Sequence, residues 1–353
     1  MIYLTLKPRA VKMDVIEVQA LVDTHVYHPR LGPVDKLNPL MKYRDVDFYQ
    51  RYRFTKHGFQ LLFEMVEPQL MSYRKRTNSP VPPTLQLAIA LRFYATGAFQ
   101  RMQGDWFGVH RSTVNKLIPK VTRAIASLAP DVIRYQASEA TQEQFLQLCD
   151  IPGITGCVDG TFVMIQSVGG PMAEVFRSRK RFFAINVQIV CNLNLEILDM
   201  VAGYPGSAHD ARVWSNSQLC WDLQDGDAKG MLLGDSAYPL RSFLMIPFTN
   251  PNTDARKRYN KQHVKGRNCV ERTIGVMKRL FPCLKLGITL KLDKIPNVIT
   301  ACGVLHNLCR KFKEPEHTGD DDPPNGNDDP EDDIDQAAHL SGQAVRDRIV
   351  ALF

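Results

Sequence analysis

The sequence contains no CxxC pair, and no histidine stands at zinc-ligand spacing from its eight cysteines, Cys149, Cys157, Cys191, Cys220, Cys269, Cys283, Cys302 and Cys309. No zinc site is therefore legible. Most of these thiols sit inside apolar runs, the setting of reduced core residues in an intracellular protein rather than of a disulfide framework. Apolar runs stay far short of the ~18 residues that span a bilayer, and the N-terminal MIYLTLKPRAVKMDV meets charge within a few residues. The expectation is a soluble chain with no membrane span and no secretory signal. No internal repeat is found, which excludes a solenoid.

Basic residues are missing from one stretch. EPEHTGDDDPPNGNDDPEDDID, residues 314–335, carries eleven carboxylates with no Lys or Arg among them. Rich in Pro and Gly and unable to bury a core, it is expected to be disordered over 314–340 and to shield the rest of the chain electrostatically. A short amphipathic tail, 341–353, follows it. The net charge of +7 thus hides two parts of opposite sign: residues 1–313 hold 42 Lys and Arg against 25 Asp and Glu, and residues 314–353 hold 2 against 12. A body this basic suits a polyanionic partner such as nucleic acid.

At 353 residues the chain has room for two domains. After an N-terminal extension, 1–46, residues 47–130 are helical in character. Phe59, Leu62, Phe63 and Val66 recur at helical spacing behind Thr55 as an N-cap, and LQLAIALRFYAT follows Thr84 as a cap and stops at Gly97. FQRMQGDWFGVHRSTVNKLIPKVTRAI then reads as helix, tight turn, helix. One face carries Val114, Leu117, Val121, Ile125 and Leu128; Arg111, Ser112, Thr113, Asn115 and Lys116 crowd the start of the second helix. A DNA-reading helix-turn-helix needs this polar, basic end, and a helical bundle with a solvated face produces the same pattern. Pro119 inside that helix is expected to kink or restart it.

From about 151 to 312 the pattern changes to strands followed by helices. GCVDGTFVMI is strand-like, and FAINVQIVCN alternates, with Phe183, Ile185, Val187 and Ile189 on one face and Asn186 and Gln188 on the other. A turn at 192–194 leads into EILDMVAGY, making a hairpin. A helix, the strand MLLGD and two long amphipathic helices complete the order β-β-β-α-β-α around a mixed sheet.

Two carboxylates stand where apolar strands place them badly. Asp159 interrupts GCVDGTFVMI, and Asp235 ends MLLGD; an ionised carboxylate in apolar surroundings costs several kcal/mol unless it is paired or sits at the rim. Were the two strands neighbours, both acids would face one cleft, and a divalent cation would relieve their repulsion. In NCVERTIGVMK, Arg267, Glu271 and Gly275 fall on one helical face with Lys278 three residues on, so Glu271 reads either as a third acid flanked by phosphate-binding cations or as a surface residue bonded to Arg267.

Taken together, CVDGT, INVQIVC, GYPGSAHDARVW, LLGDSAYPL, VERTIGVMKRLF and ACGVLHN, in this order over roughly residues 50–312, resemble the Harbinger (PIF) DDE transposases and the nuclease domesticated from them. The resemblance implies an α/β fold: an RNase H-like mixed-sheet catalytic domain over 151–312, preceded by an all-α helix-turn-helix region. It implies a DDE triad of Asp159, Asp235 and Glu271 working with Mg²⁺ or Mn²⁺ in two-metal phosphodiester hydrolysis, with Asp210 as a fourth acid near the metal or, alternatively, a cap of the helix it begins. DNA contacts are expected from Arg111, Ser112, Thr113, Asn115, Lys116, Arg267 and Lys278. DNA, a Myb/SANT-like DNA-binding protein and a second copy of the chain are the implied partners, and the nucleus, or the nucleus and cytoplasm, the implied location.

Where the family has an Asn-Arg-Lys-Gly segment before the hairpin strand, this chain reads FRSRKRFFAIN, with Ser178 for Asn and Arg181 for Gly. That departure bears on a local loop, not on the triad. His306 reads as a structural histidine, and His209 and His263 as candidate phosphate contacts. The competing reading is a domesticated DNA-binding or regulatory protein with little or no cleavage activity.

Overall fold

A computed structural model describes residues 39–71, 81–317 and 336–353. Most of the N-terminal extension, residues 1–38, and most of the acidic segment, residues 318–335, lie outside the described residues.

After a single helical turn at Pro39–Lys42, the helical part continues with α1 (Asp45–Tyr52) and α2 (Lys56–Leu70). Thr55 caps α2 as its sequence suggests, accepting from the Gly58 N–H at 3.1 Å. Helix α3 (Pro83–Thr96) is buried almost all round and ends where Gly97 turns left-handed at φ 61°. It starts one residue ahead of Thr84: Pro82 is the N-cap and Pro83 takes the first turn, where a missing N–H costs nothing. Helices α4 (Gln100–Phe107) and α5 (Arg111–Ala126) are joined by a turn at Gly108. The restart expected at Pro119 does not occur; α5 continues as one helix with that proline buried in its apolar face. Helix α6 (Glu139–Cys149) leads into the sheet.

The sheet has five strands: β1 (Ile154–Met164), β2 (Ala184–Cys191), β3 (Ile197–Pro205), β4 (Met231–Leu233) and β5 (Leu244–Met245), in spatial order 3-2-1-4-5. The first three run antiparallel, while β4 pairs parallel with β1 and β5 parallel with β4. β2 is buried along its whole length, so it lies inside a layered structure. One face of the sheet is covered by α6, by α9 (Asp254–Leu280) and by α10 (Ile295–Lys311); α7 (Asp210–Ser215) and α8 (Gln218–Asp225) cover the other, around Trp214 and Val158.

The helical part and the sheet share one core. A single cluster of buried side chains runs from Phe48 and Phe59 through Val114 and Ile125 to Val187 and to Val298, Leu305 and Leu308 of α10. The expected division at residue 130 therefore separates two patterns of sequence within one packed body. All eight cysteines are buried and unbridged. Among the described residues, no helix is long and apolar enough to cross a membrane.

The two ends of the acidic segment differ from the expectation of disorder over 314–340. Glu314 is held at the start of α2, accepting from the Thr55 N–H at 2.7 Å and from its hydroxyl at 3.0 Å. Helix α11 (Gln336–Val350) begins inside the stretch, and its Ile349 is buried while Arg346 lies 3.8 Å from the centre of the Phe248 ring. Composition misled here because a carboxylate finds a binding place at a helix N-terminus, where unpaired N–H groups and the dipole favour negative charge. Glu314→Ala is expected to lower the unfolding free energy of the full chain by about 1 kcal/mol, read as a drop in denaturation midpoint at unchanged slope; an unchanged midpoint would show the contact to be energetically idle.

Candidate active site

Three separate elements deliver one carboxylate each to a common place. Asp159 is in the middle of β1, beyond the point where β4 stops pairing with it; Asp235 lies two residues after β4; Glu271 is on α9. Asp159 is almost fully buried and accepts from the Gly160 N–H at 2.9 Å, and Asp235 accepts from the Ala237 N–H at 3.0 Å across a tight turn. Helix α9 comes this close to the sheet because residue 266 is glycine: a Cβ there would lie 2.7 Å from Leu233 Cδ1 and 3.2 Å from Cys149 Sγ. The next residue, Arg267, is thereby lowered into the acids.

Its guanidinium links all three. Arg267 donates to Glu271 Oε1 at 2.7 Å and stands 3.5 Å from Asp159 Oδ2 and 3.8 Å from Asp235 Oδ2. The surface pair read from the sequence exists as an i, i+4 bond, yet the Arg267 side chain is only 15% exposed and pairs with the other two acids as well. Burial lowers its basicity, and the neighbouring carboxylates outweigh burial, so the group remains firmly charged.

One positive charge does not neutralise three negative ones. Burial raises the Asp159 pKa to about 7 against the pull of Arg267, with Asp235 and Asp210 adding to the rise. Burial likewise raises Asp235 to about 6, again opposed by Arg267 and reinforced by Asp210. Among the described residues no three His, Cys, Asp or Glu side chains converge tightly enough to hold a metal ion as they stand. The guanidinium fills the space between the acids and spaces them at its own contact distances, whereas a small divalent cation such as Mg²⁺ needs oxygens at about 2.0 to 2.1 Å. In chemistry the donor set fits such a cation: carboxylate oxygens already gathered around a lodged positive group.

Asp210 is placed differently. It is the first residue of α7, with His209 as the capping position, and its Oδ1 accepts from Asn186 Nδ2 at 2.7 Å. Its carboxylate lies against the backbone of Gly160, where any Cβ would collide with it. In CVDGT each of the last three residues therefore has a task. Asp159 enters the acid group, Gly160 makes room for Asp210, and Thr161 accepts from the buried Lys278 Nζ at 2.7 Å. That contact, with a second from Lys278 to the Phe162 carbonyl at 2.9 Å, corrects the assignment of Lys278 as a DNA contact: it ties α9 to β1. His263 is corrected likewise, being buried against the Met245 carbonyl with its pKa lowered to about 4 by burial. His306 is structural as expected, 2.7 Å from the Leu195 carbonyl. His209 is exposed.

Apart from Arg267 and Lys278, the residues expected to contact DNA lie at the start of α5, which packs on α4. Arg111, Ser112, Asn115 and Lys116 are exposed at the start of α5, and Thr113 is half-buried. His110 Nδ1 caps the helix by accepting from the Ser112 N–H at 3.2 Å, and Asn115 donates to Gln100 of α4 at 2.8 Å.

Sequence reasoning passed over one feature and marked a second only as a departure from the family pattern. The Tyr238 hydroxyl is buried without a hydrogen-bond partner, and burial together with Asp210, Asp159 and Asp235 raises its pKa far above the ordinary value. Its signal was its place in LLGDSAYPL, three residues after the acid. The second is the FRSRKRFF turn, where Arg181 takes a left-handed φ of 67°. Arg177 pins this turn by bonding Glu174 at 2.6 and 2.9 Å and the Arg181 carbonyl at 3.0 Å, and the positive charge of Arg179 is among those that lower the Asp235 pKa. A glycine in the family pattern at this place was the clue to the left-handed backbone.

Comparison with known proteins gives a family match over the strands and helices that carry these acids. A family described as DDE superfamily endonuclease matches residues 158–307, which contain Asp159, Asp210, Asp235 and Glu271. The human protein named "Putative nuclease HARBI1" (Homo sapiens) is 32% identical over 267 residues, covering 73% of this chain and 75% of its own length. The chain belongs to the Harbinger transposase-derived nuclease family. The HARBI1 protein of Xenopus laevis is 28% identical over 282 residues, 76% of this chain and 81% of its own, and the Arabidopsis thaliana "Protein ALP1-like" is 21% identical over 299 residues, 78% and 73%. No solved structure matches.

The raised acids make a prediction about pH. Both are protonated more readily in the folded chain than in the unfolded one, so between about pH 4 and pH 7 folding takes up protons and stability falls as pH rises. Asp159→Asn removes one of these groups. Metal-free melting of that variant is expected to decline less across this range than wild type; an equally steep decline would place the titration elsewhere.

Proposed function

We propose that the chain is a metal-dependent DNA endonuclease whose acidic triad is Asp159, Asp235 and Glu271. The observation that carries this reading is the meeting of three carboxylates from β1, the end of β4 and α9 around a single cation. A protein needing only to bind DNA has no use for buried acids that repel one another and destabilise it. The strand order 3-2-1-4-5, with three antiparallel strands followed by two parallel ones, supports an RNase H-like catalytic domain.

Asp159, Asp235 and Glu271 would hold Mg²⁺ or Mn²⁺, with Asp210 near them. When bound, such ions supply activation of the attacking oxygen and stabilisation of the leaving one. The protein's own residues do the remaining work. Asn186 orients Asp210, Gly160 admits it, and Lys278 fixes α9 against β1 so that Glu271 keeps its height over the sheet. Arg267 supplies a buried positive charge at the place where a phosphodiester would approach.

Glu271→Gln, Asp159→Asn and Asp235→Asn keep size and remove charge. Each is expected to lose metal-dependent nicking of transposon-end-like DNA by at least about a hundredfold while retaining DNA affinity. The assay includes a Myb/SANT-like DNA-binding protein, which we propose as the targeting partner in the nucleus, and a chelator control. Wild-type cleavage that persists in all three variants would overturn the triad; no cleavage by wild type with partner and either metal would leave DNA binding as the whole activity.

Helices α4 and α5 we assign as a helix-turn-helix that meets the duplex with Arg111, Ser112, Thr113, Asn115 and Lys116. Arg111→Ala and Lys116→Ala together are expected to reduce the slope of log K against log salt by up to about 1.8, or ~0.9 for each phosphate left without its cation. An unchanged slope would reduce α5 to a solvated bundle helix.

A further inference from the structure

Arg267 occupies a position that a static support would not need. A residue that merely oriented Glu271 would require one bond to it; this guanidinium instead reaches all three acids, at 2.7, 3.5 and 3.8 Å. Its hydrogen-bonding is incomplete. The Nη1 nitrogen is buried and makes no hydrogen bond, although it is the one nearest Asp235. Planar guanidinium matches one carboxylate well in a fork-to-fork pair, and three acids on three elements do not offer that geometry. The group is held there chiefly by charge, which is what a divalent ion would satisfy better.

We infer that Arg267 is a built-in counter-cation: in the metal-free chain its guanidinium offsets part of the charge of the acidic triad, and metal binding is an exchange in which the side chain is displaced from among the carboxylates. The inference rests on the metal-dependent reading of the acids given above. The exchange adds one net positive charge to the acids, a monovalent cation leaving as a divalent one enters; the Arg267–Glu271 hydrogen bond is given up for carboxylate–metal contacts, and no covalent bond changes. Displacement keeps the guanidinium tethered to α9 beside the loaded acids, where a phosphate oxygen is the natural new partner for a cation parted from its carboxylates. The same side chain would thus hold the empty site together and then meet the DNA backbone, coupling the loading of metal to the capture of substrate.

This predicts a sign. If Arg267 competes with metal, removing its charge tightens metal binding; if it props up the ligands, removing it weakens metal binding. Mn²⁺ binding to the full chain at pH 8, measured by electron paramagnetic resonance of the free ion without DNA, is expected to be about tenfold or more tighter for Arg267→Gln than for wild type, with Arg267→Lys close to wild type. The Gln variant is also expected to melt lower than wild type without metal and to gain more on Mn²⁺ addition. Should the Gln variant fail to fold, the wild-type chain provides the second measurement. Mg²⁺ titration followed through the Arg267 Nε–H resonance, assigned by its loss in Arg267→Lys, is expected to move it from a protected to a rapidly exchanging signal.

Equal or weaker Mn²⁺ binding by Arg267→Gln, or an Arg267 resonance indifferent to Mg²⁺, would overturn the exchange. Asp159→Asn and Asp235→Asn separate that failure from a deeper one. If they lose Mn²⁺ affinity while Arg267→Gln does not gain it, the acids bind metal and only the exchange is wrong. If wild type, Asp159→Asn and Asp235→Asn bind Mn²⁺ alike, the metal reading of the triad falls, and this inference with it.

Discussion

The contact between Arg267 and three carboxylates is the constraint that the surrounding structure serves. Without a cation, Asp159 and Asp235 would stand as buried like charges at close range, and the sheet could not keep both ionised. The devices around them all fix the height and direction of that cation. Gly266 lets α9 settle on Leu233, Lys278 bonds the next stretch of the helix to Thr161 and Phe162, and His263 braces its earlier part against Met245. A helix of 27 residues is thereby attached to the sheet at three heights, and the acid-binding arginine lies between the attachments.

The strain that remains is of the kind expected at a functional site. Two acids with pKa values pushed to about 7 and about 6 reduce the stability of the metal-free chain at neutral pH, and a buried Tyr238 hydroxyl and an Arg267 nitrogen are left without hydrogen bonds. A fold under selection for stability alone would replace such groups with apolar ones of similar volume. Here they gather around Asp159 and Asp235, although polar groups buried elsewhere, such as the Gln188 amide and the Trp214 indole N–H, also lack hydrogen bonds.

Much of this was legible in the sequence, for reasons that differ from residue to residue. The hairpin of β2 and β3 followed from clean alternation, and Thr55 and Gly97 from cap chemistry, because these are local signals that packing did not override. Asp159 and Asp235 stood out as charges at the ends or centres of apolar runs. Lys278 and His263 were misread because helical spacing shows which residues share a face but not whether that face meets solvent or a strand. Arg267 was half read: its bond to Glu271 follows from i, i+4 spacing, whereas its reach to Asp159 and Asp235 depends on how closely α9 lies on the sheet. That closeness is set by Gly266, and a lone glycine inside a helix carries no signal of what it faces.

The shared core bears on how the helix proposed to meet DNA is coupled to the proposed triad. Helix α10 packs on β3 on one side and on α5 on the other, so the helix assigned to DNA and the sheet that carries Asp159 are joined through one rigid element. Its Asn307 binds both edges at once, accepting from the Ile197 N–H at 2.8 Å on β3 and donating to the Val132 carbonyl at 3.1 Å in the segment after α5. Close-packed interiors transmit displacement instead of absorbing it. A duplex gripped at the start of α5 would therefore be presented to the acids at a fixed distance and angle, and the choice of which phosphodiester reaches Asp159 and Glu271 would be made by this packing and not by contacts at the acids themselves.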